Sequence, residues 1–110
     1  MSKPLPDTAE QLAALTKEHG KLVSQVVDGK LYAFKAPDLT QYEDYQERRM
    51  AKKPGDTPGV CYRDLAQRCC VTDQAELQAL FKRYPAVSMN IANALADLAG
   101  AEIEFTVGKD

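Results

Sequence analysis

Between residues 58 and 100 the apolar side chains recur every three or four positions in three successive blocks. This spacing places side chains on one face of an α-helix. The pattern therefore predicts a unit of about three helices over residues 58–100. The boundaries of the blocks fall at residues that typically start or stop helices, namely Thr57-Pro58, Thr72-Asp73, Tyr84-Pro85 and Gly100.

The pattern changes over residues 21–36, where two runs rich in β-branched residues flank Asp28-Gly29. Asp-Gly between such runs indicates a β-hairpin, because both central residues of a type I′ turn adopt positive φ. This turn pairs Val27 with Lys30 and places Val23 opposite Phe34. Both faces of the hairpin are partly apolar, so we expect the helices to cover one face and a further element to cover the other. A two-stranded hairpin alone is only marginally stable.

The segments around the hairpin have simpler patterns. Residues 1–20 predict a loose tail and a weakly apolar surface helix, and residues 38–51 predict a charged helix capped by Asp38. The inner side of that charged helix is expected to carry Leu39, Tyr42, Tyr45 and Met50. Residues 52–57 combine charge, proline and glycine, which is typical of a loop.

The tail at residues 101–110 alternates Ile103, Phe105 and Val107 with polar residues, a period of two. It is predicted to add a third strand to the hairpin, and the alternative is an extended partner-binding peptide. The 110 residues and 45% apolar content are sufficient for one domain with one core. We therefore predict an α+β domain, mainly α-helical, in which a hairpin of two or three strands packs against the helical unit.

The charges are nearly balanced, with 14 basic and 16 acidic residues and a formal net charge of −2. Nucleic-acid binding is therefore not expected from an overall basic field and would need a local patch. The candidate patch comprises Arg48, Arg49, Lys52 and Lys53. The alternative, which we favour, is a solvated helix end whose cations match the helix dipole.

Neither a catalytic nor a metal site is evident. Cys61, Cys69 and Cys70 lack the spacing of a zinc site, and the single histidine, His19, is remote in sequence. Cys61 and Cys69 lie on nearly one helical face, which favours buried core positions. We expect no enzyme activity and no cofactor. The odd number of cysteines, the absence of a signal segment and the absence of a bilayer-length apolar run favour a cytoplasmic protein with reduced thiols and no membrane partner.

Residues 63–72 resemble the first helix and turn of a helix-turn-helix DNA reader. In that motif a small residue, usually glycine, occupies the turn, where this chain has Cys70. The following helix would present Asp73 and Glu76 to DNA phosphates, which is repulsive. A DNA-binding regulator with a degenerate motif of this kind is therefore kept only as an alternative.

One larger pattern covers roughly residues 20–100. A strand ends in Phe34-Lys-Ala-Pro37, and a later helix carries Leu77-Gln-Ala-Leu80 followed by Pro85. This arrangement resembles the small tail assembly chaperones of long-tailed bacteriophages and related prophage proteins, which typically combine an F-x-x-P strand end with an L-x-x-L-x-x-x-x-P helix break.

The resemblance implies a non-enzymatic protein of the bacterial host cytoplasm that binds the tape measure protein and keeps it soluble until the tail tube forms. The tail tube protein is a further implied partner, and self-association into a homo-oligomer is kept open. The alternative function is that of a structural tail or head component. The matching positions that could form the partner surface are Tyr32, Phe34, Leu77, Phe81 and Tyr84. The alternative, which we favour for each position, is that these residues belong to the core, because large apolar residues at such spacing are usually buried.

Overall fold

The computed structural model of the protein describes residues 8–101. An α+β arrangement that is mainly helical is confirmed, with one antiparallel hairpin among these residues. The last helix continues into a wide π-helical turn at Asp97–Ala101, where Gly100 adopts a φ of 119°. The elements in chain order are α1 (Thr8–His19), β1 (Leu22–Val27), β2 (Lys30–Lys35), α2 (Leu39–Ala51), α3 (Pro58–Cys69), α4 (Gln74–Arg83) and α5 (Val87–Ala96).

The hairpin has the predicted register. Val27 pairs with Lys30 and Val23 pairs with Phe34. Both turn residues have positive φ, 52° at Asp28 and 79° at Gly29, as a type I′ turn requires. One face of the hairpin packs into the core, and α1 lies against the hairpin without a fully buried residue of its own. The predicted surface position of α1 is therefore confirmed.

The support for β2 comes from the connection between α3 and α4. Cys70 forms an antiparallel bridge with Phe34, and the Val71 amide donates to the Ala33 carbonyl oxygen at 2.9 Å. The Ala33 amide in turn donates to the Thr72 hydroxyl at 3.4 Å. This short extended segment satisfies backbone groups on the outer edge of β2. The third strand is predicted within the tail at residues 101–110, of which residues 102–110 lie outside the described residues.

The core lies between the hairpin and the helices, and α3 contacts both α2 and α5. Cys61 and Cys69 are buried in it, as the sequence predicts. The side chains of α4 that face inward belong to the same cluster, which joins the helical unit to the hairpin. The largest fully buried side chains are Phe34, Leu65, Leu77, Leu80, Leu95, Cys61 and Cys69.

The helix starts follow the sequence signals with one exception. Asp38 and Gln41 form a complete capping box at α2, and the Thr57 hydroxyl accepts from the Val60 amide at 3.3 Å. Asp73 caps α4 by accepting from two amides. Asp73-x-x-Glu76 in the sequence has the spacing of a second capping box. Its reciprocal half is absent, because the Glu76 carboxylate pairs instead with the Lys30 ammonium at 2.6 Å. This ion pair joins α4 to the hairpin.

Candidate protein-interaction surface

Four of the five positions considered for a partner surface lie in the core. Tyr32 and Phe34 on the hairpin and Leu77 and Phe81 on α4 are buried, and all four belong to one apolar cluster. Burial raises the pKa of the Tyr32 hydroxyl above its ordinary value. Because these side chains already contact the interior of their own protein, they do not form an exposed docking surface in this structure.

Tyr84 is the exception, with 43% of its surface exposed. Its hydroxyl donates to the Asp28 carboxylate at 3.2 Å, and the Arg83 guanidinium donates to the same oxygen at 2.5 Å. Arg83 also lies over the Tyr84 ring, 5.9 Å from its centroid. These contacts join the end of α4 to the hairpin turn, so Tyr84 has a structural role whether or not it also contacts a partner.

Within the candidate basic patch, Arg48 is paired with carboxylates of its own protein. The Arg48 guanidinium donates to Asp56 at 2.8 Å and to Asp64 at 2.7 Å. The hydrogen bond from Arg48 lowers the pKa of the Asp56 carboxyl, and the same bond raises the pKa of Arg48. Lys52 and Lys53 are exposed, and Lys52 ends α2 in the left-handed conformation with a φ of 52°.

Arg49 is also directed toward its own protein. Its guanidinium carbon lies 5.4 Å from the Tyr45 ring centroid and 5.5 Å from that of Tyr62, which is the geometry of a cation–π contact. Burial raises the pKa of the Tyr45 hydroxyl, with Arg49 opposing the shift. Arg49 nevertheless stays exposed, and together with Lys52 and Lys53 it lines one shallow pocket at the end of α2. Within the described part of the chain, only Arg48 of the four basic residues is paired with carboxylates of its own protein.

A chain of five alternating charges fixes α2 against α3. It continues from Arg48 and Asp64 to Arg68, whose guanidinium lies 3.1 Å from both Asp64 and Asp44. Networks of this kind hold geometry better than isolated surface pairs. The network and the buried Tyr45 both lie on the inner side of α2, so the residues on the other side of the helix face the solvent. In order, the network runs Asp56, Arg48, Asp64, Arg68 and Asp44.

The opposite side of α2 carries two of the most exposed large apolar side chains in the described part of the chain. Leu39 is 74% exposed and Met50 is 78% exposed. At about 100° per residue, Leu39, Glu43, Glu47 and Met50 fall within an arc of about 80°. We call these four residues the α2 outer face. Neither Glu43 nor Glu47 forms an ion pair within residues 8–101.

The prediction that Leu39 and Met50 lie on the inner side of α2 is wrong. Tyr45 is the buried residue of this helix. Leu39 precedes Tyr45 by six positions and Met50 follows it by five, so both lie about 120° or more from it around the axis. Helical spacing measured from Tyr45 would have placed them outside. Tyr42 lies closer to Tyr45 on the wheel and packs against the core as predicted.

The geometry of the α3–α4 connection differs from that of a helix-turn-helix. Cys70 has a φ of −67° and a ψ of 126°, which is extended, and it pairs with β2. The first turn of α4 carries Glu76, which is held by Lys30. A DNA reader needs its second helix to enter the major groove with donors for bases and phosphates. Here that end of the helix carries two carboxylates and is joined to the hairpin.

Within residues 8–101, no group of three histidine, cysteine, aspartate or glutamate side chains is arranged to hold a metal ion. Burial raises the pKa of the Cys69 thiol to about 11, which disfavours the nucleophilic thiolate at neutral pH. No helix of the described range is long and apolar enough to cross a membrane.

The fold resembles that of a solved structure of an uncharacterised protein from Bacillus stearothermophilus. The two structures superpose with a TM-score of 0.67 at 18% sequence identity, covering 88% of this chain and 99% of that chain. At this level of identity the likeness concerns the fold alone. No family model and no curated protein matches the sequence.

Proposed function

We propose that this protein is a non-enzymatic tail assembly chaperone that binds the tape measure protein of a long-tailed phage or prophage. In this role it keeps that partner soluble while the tail tube assembles, and it acts in the cytoplasm of the bacterial host. The sequence resemblance over residues 20–100 suggests this role. The observation that supports it is the exposure of Leu39 and Met50 on α2, while the arginines of the same helix bind their own protein.

This distribution of side chains suits a protein partner better than a nucleic acid. Nucleic-acid affinity depends on free lysine and arginine side chains that displace counterions from phosphates. Arg48 is paired with Asp56 and Asp64, and the guanidinium of Arg49 lies over two tyrosine rings. The outer face of α2 carries Glu43 and Glu47. Exposed apolar side chains on a helix instead suit capture of another helix. A tape measure protein, long and helical, offers such segments.

Co-expression with the tape measure protein of the same genome tests this proposal. The affinity-tagged chaperone should retain that protein at both low and high salt, and the soluble fraction of the tape measure protein should rise. Retention at high salt is expected because apolar contacts do not weaken as phosphate contacts do. Co-expression with an unrelated long helical protein serves as the control.

Three results would overturn the proposal. The first is the absence of a complex at either salt concentration. The second is capture of duplex DNA at low salt only, which would favour the regulator. The third is the presence of the protein as a stoichiometric component of purified particles, which would favour a structural role. Capture of the tail tube protein in the same experiment would extend the proposal to the second partner.

A further inference from the structure

The α2 outer face combines features that are unfavourable for the isolated protein. Glu43 and Glu47 are four positions apart on one helix, and a like-charge pair at this spacing destabilises a helix. Both are exposed, and neither has a cationic partner among the described residues. Leu39 and Met50 expose most of their apolar surface at the two ends of the same stripe. A partner that supplied cations would offset the repulsion between the two carboxylates, and its apolar side chains would cover Leu39 and Met50.

We propose that the α2 outer face is a docking site for an amphipathic helix that carries lysine or arginine between two apolar residues about three turns apart. Met50 follows Leu39 by eleven positions, which corresponds to about 16 Å along the helix axis. A docked helix would contact Leu39 and Met50 with its apolar side chains and pair its cations with Glu43 and Glu47. The inference deepens the proposed function, on which it rests, by specifying the chemistry of the partner segment.

The charge of the surface argues against a second copy of this chain as the occupant. An antiparallel copy that placed Leu39 against Met50 would bring Glu43 and Glu47 of both molecules together. Four carboxylates without counterions would then face one another, and like charges across an interface are strongly unfavourable. A basic helix has the complementary charge.

The inner side of α2 provides the rigidity that a docking surface needs. The complete capping box at Asp38 fixes the start of the helix, and Arg48 binds Asp56 and Asp64 from its inner side. Arg49 rests between two tyrosine rings. A surface that is already ordered loses less conformational entropy when the partner binds.

Two synthetic helical peptides of about 20 residues provide the test, a length at which alanine-rich helices form in water. Both carry two leucines eleven positions apart, and the intervening residues on that face are lysine in one peptide and glutamate in the other. Amide chemical shifts of the isotope-labelled protein report where each peptide binds. The lysine peptide should perturb α2 and bind about tenfold or more tightly than the glutamate peptide, a difference of about 1.4 kcal/mol.

Charge reversal separates a docking role from a structural one. The Glu43→Lys/Glu47→Lys variant should bind the glutamate peptide more tightly than the lysine peptide, the reverse of the wild-type preference. A variant that is only destabilised would not reverse this preference. The Leu39→Ser/Met50→Ser variant should lose about tenfold or more in affinity for the lysine peptide. Matched controls are Met89→Ser, another exposed apolar position, and Glu10→Lys on α1. Both controls should bind the lysine peptide more tightly than the glutamate peptide, as the wild type does. Far-ultraviolet circular dichroism should show that every variant is folded.

The inference is overturned if the two peptides bind with equal affinity, or if the amide chemical shifts change away from α2. It is also overturned if the charge-reversed variant still prefers the lysine peptide. Its failure is distinguishable from that of the proposed function. If the tape measure protein is captured equally by wild type and by Leu39→Ser/Met50→Ser, the function stands and the docking site is wrong. If the lysine peptide binds α2 but the tape measure protein is not captured, the docking site stands and the function is wrong.

Discussion

Replacing Leu77 by alanine tests whether this residue belongs to the core or to a partner surface. Leu77 is 0% exposed and packs in the cluster that joins α4 to the hairpin and to the other helices. Substitution of a fully buried leucine by alanine costs about 2.7–5.0 kcal/mol, because the transfer free energy is lost and a cavity remains. A domain of 110 residues has a free energy of unfolding of about 5–16 kcal/mol. The variant should therefore lose a large fraction of its stability.

Urea denaturation followed by circular dichroism measures this loss directly, and thermal unfolding should show a decrease in Tm of about 10 °C or more. Tyr84→Ala, at the residue that caps the C-terminal end of the same helix, is the matched control. Its side chain is 43% exposed, and its loss removes chiefly the hydrogen bond to Asp28 and the ring contact with Arg83. We expect a cost of less than about 1.5 kcal/mol for this change.

The same variants also distinguish a residue that contacts the partner from one that acts only through the fold. If Leu77→Ala lowers the free energy of unfolding by less than about 1 kcal/mol and yet abolishes capture of the tape measure protein, Leu77 is a contact residue. The burial argument for the four core positions would then be refuted. If Leu77→Ala is strongly destabilised and its folded fraction still captures the partner, Leu77 acts only through the fold.

Two further predictions concern the thiols and the loop. Burial raises the pKa of Cys69 from its ordinary 9.0 to about 11, so this thiol should resist a disulfide reagent at pH 8. The folded state holds this proton more tightly than the unfolded chain, so the free energy of unfolding should fall as the pH rises from about 9 toward 11. Prompt labelling of Cys69 in the native protein, detected by mass spectrometry, would contradict this prediction. Arg48→Met should speed tryptic cleavage after Lys52 about threefold or more, because Asp56 loses the partner that holds the loop. An unchanged rate, compared with Arg63→Met as control, would show that the ion pair does not restrain the loop.

The hairpin could be predicted in detail because its signals are local. Positive φ at Asp28 and Gly29 defines the turn, and the turn in turn fixes the register from Val27 and Lys30 onward. No distant contact is needed for this argument. The helix starts at Asp38 and Thr57 were predictable for the same reason, since a capping side chain reaches only the first turn of its own helix.

Contacts between distant elements could not be predicted in the same way. Glu76 has the correct spacing for a capping box with Asp73, but Lys30 lies close to it in space and forms an ion pair instead. The α3–α4 connection gave no strand signal, and yet Val71 hydrogen-bonds to Ala33 because the outer edge of β2 has free backbone groups. Both features depend on how α4 packs against the hairpin. This packing is not encoded by a pattern within α4 or within the hairpin alone.

The orientation of α2 decides which of its charged side chains face the solvent. The inner side of the helix carries Asp44 and Arg48, which pair with α3 and the following loop, and Arg49, which contacts two aromatic rings. Because these residues and the buried Tyr45 lie on the inner side of the helix, its remaining charged residues, Glu43 and Glu47, face the solvent. The outer face is thus acidic although α2 contains both arginines of the candidate basic patch. The C-terminal end of α2 is basic in sequence, but its outer face is acidic. That face is therefore suited to a cationic partner.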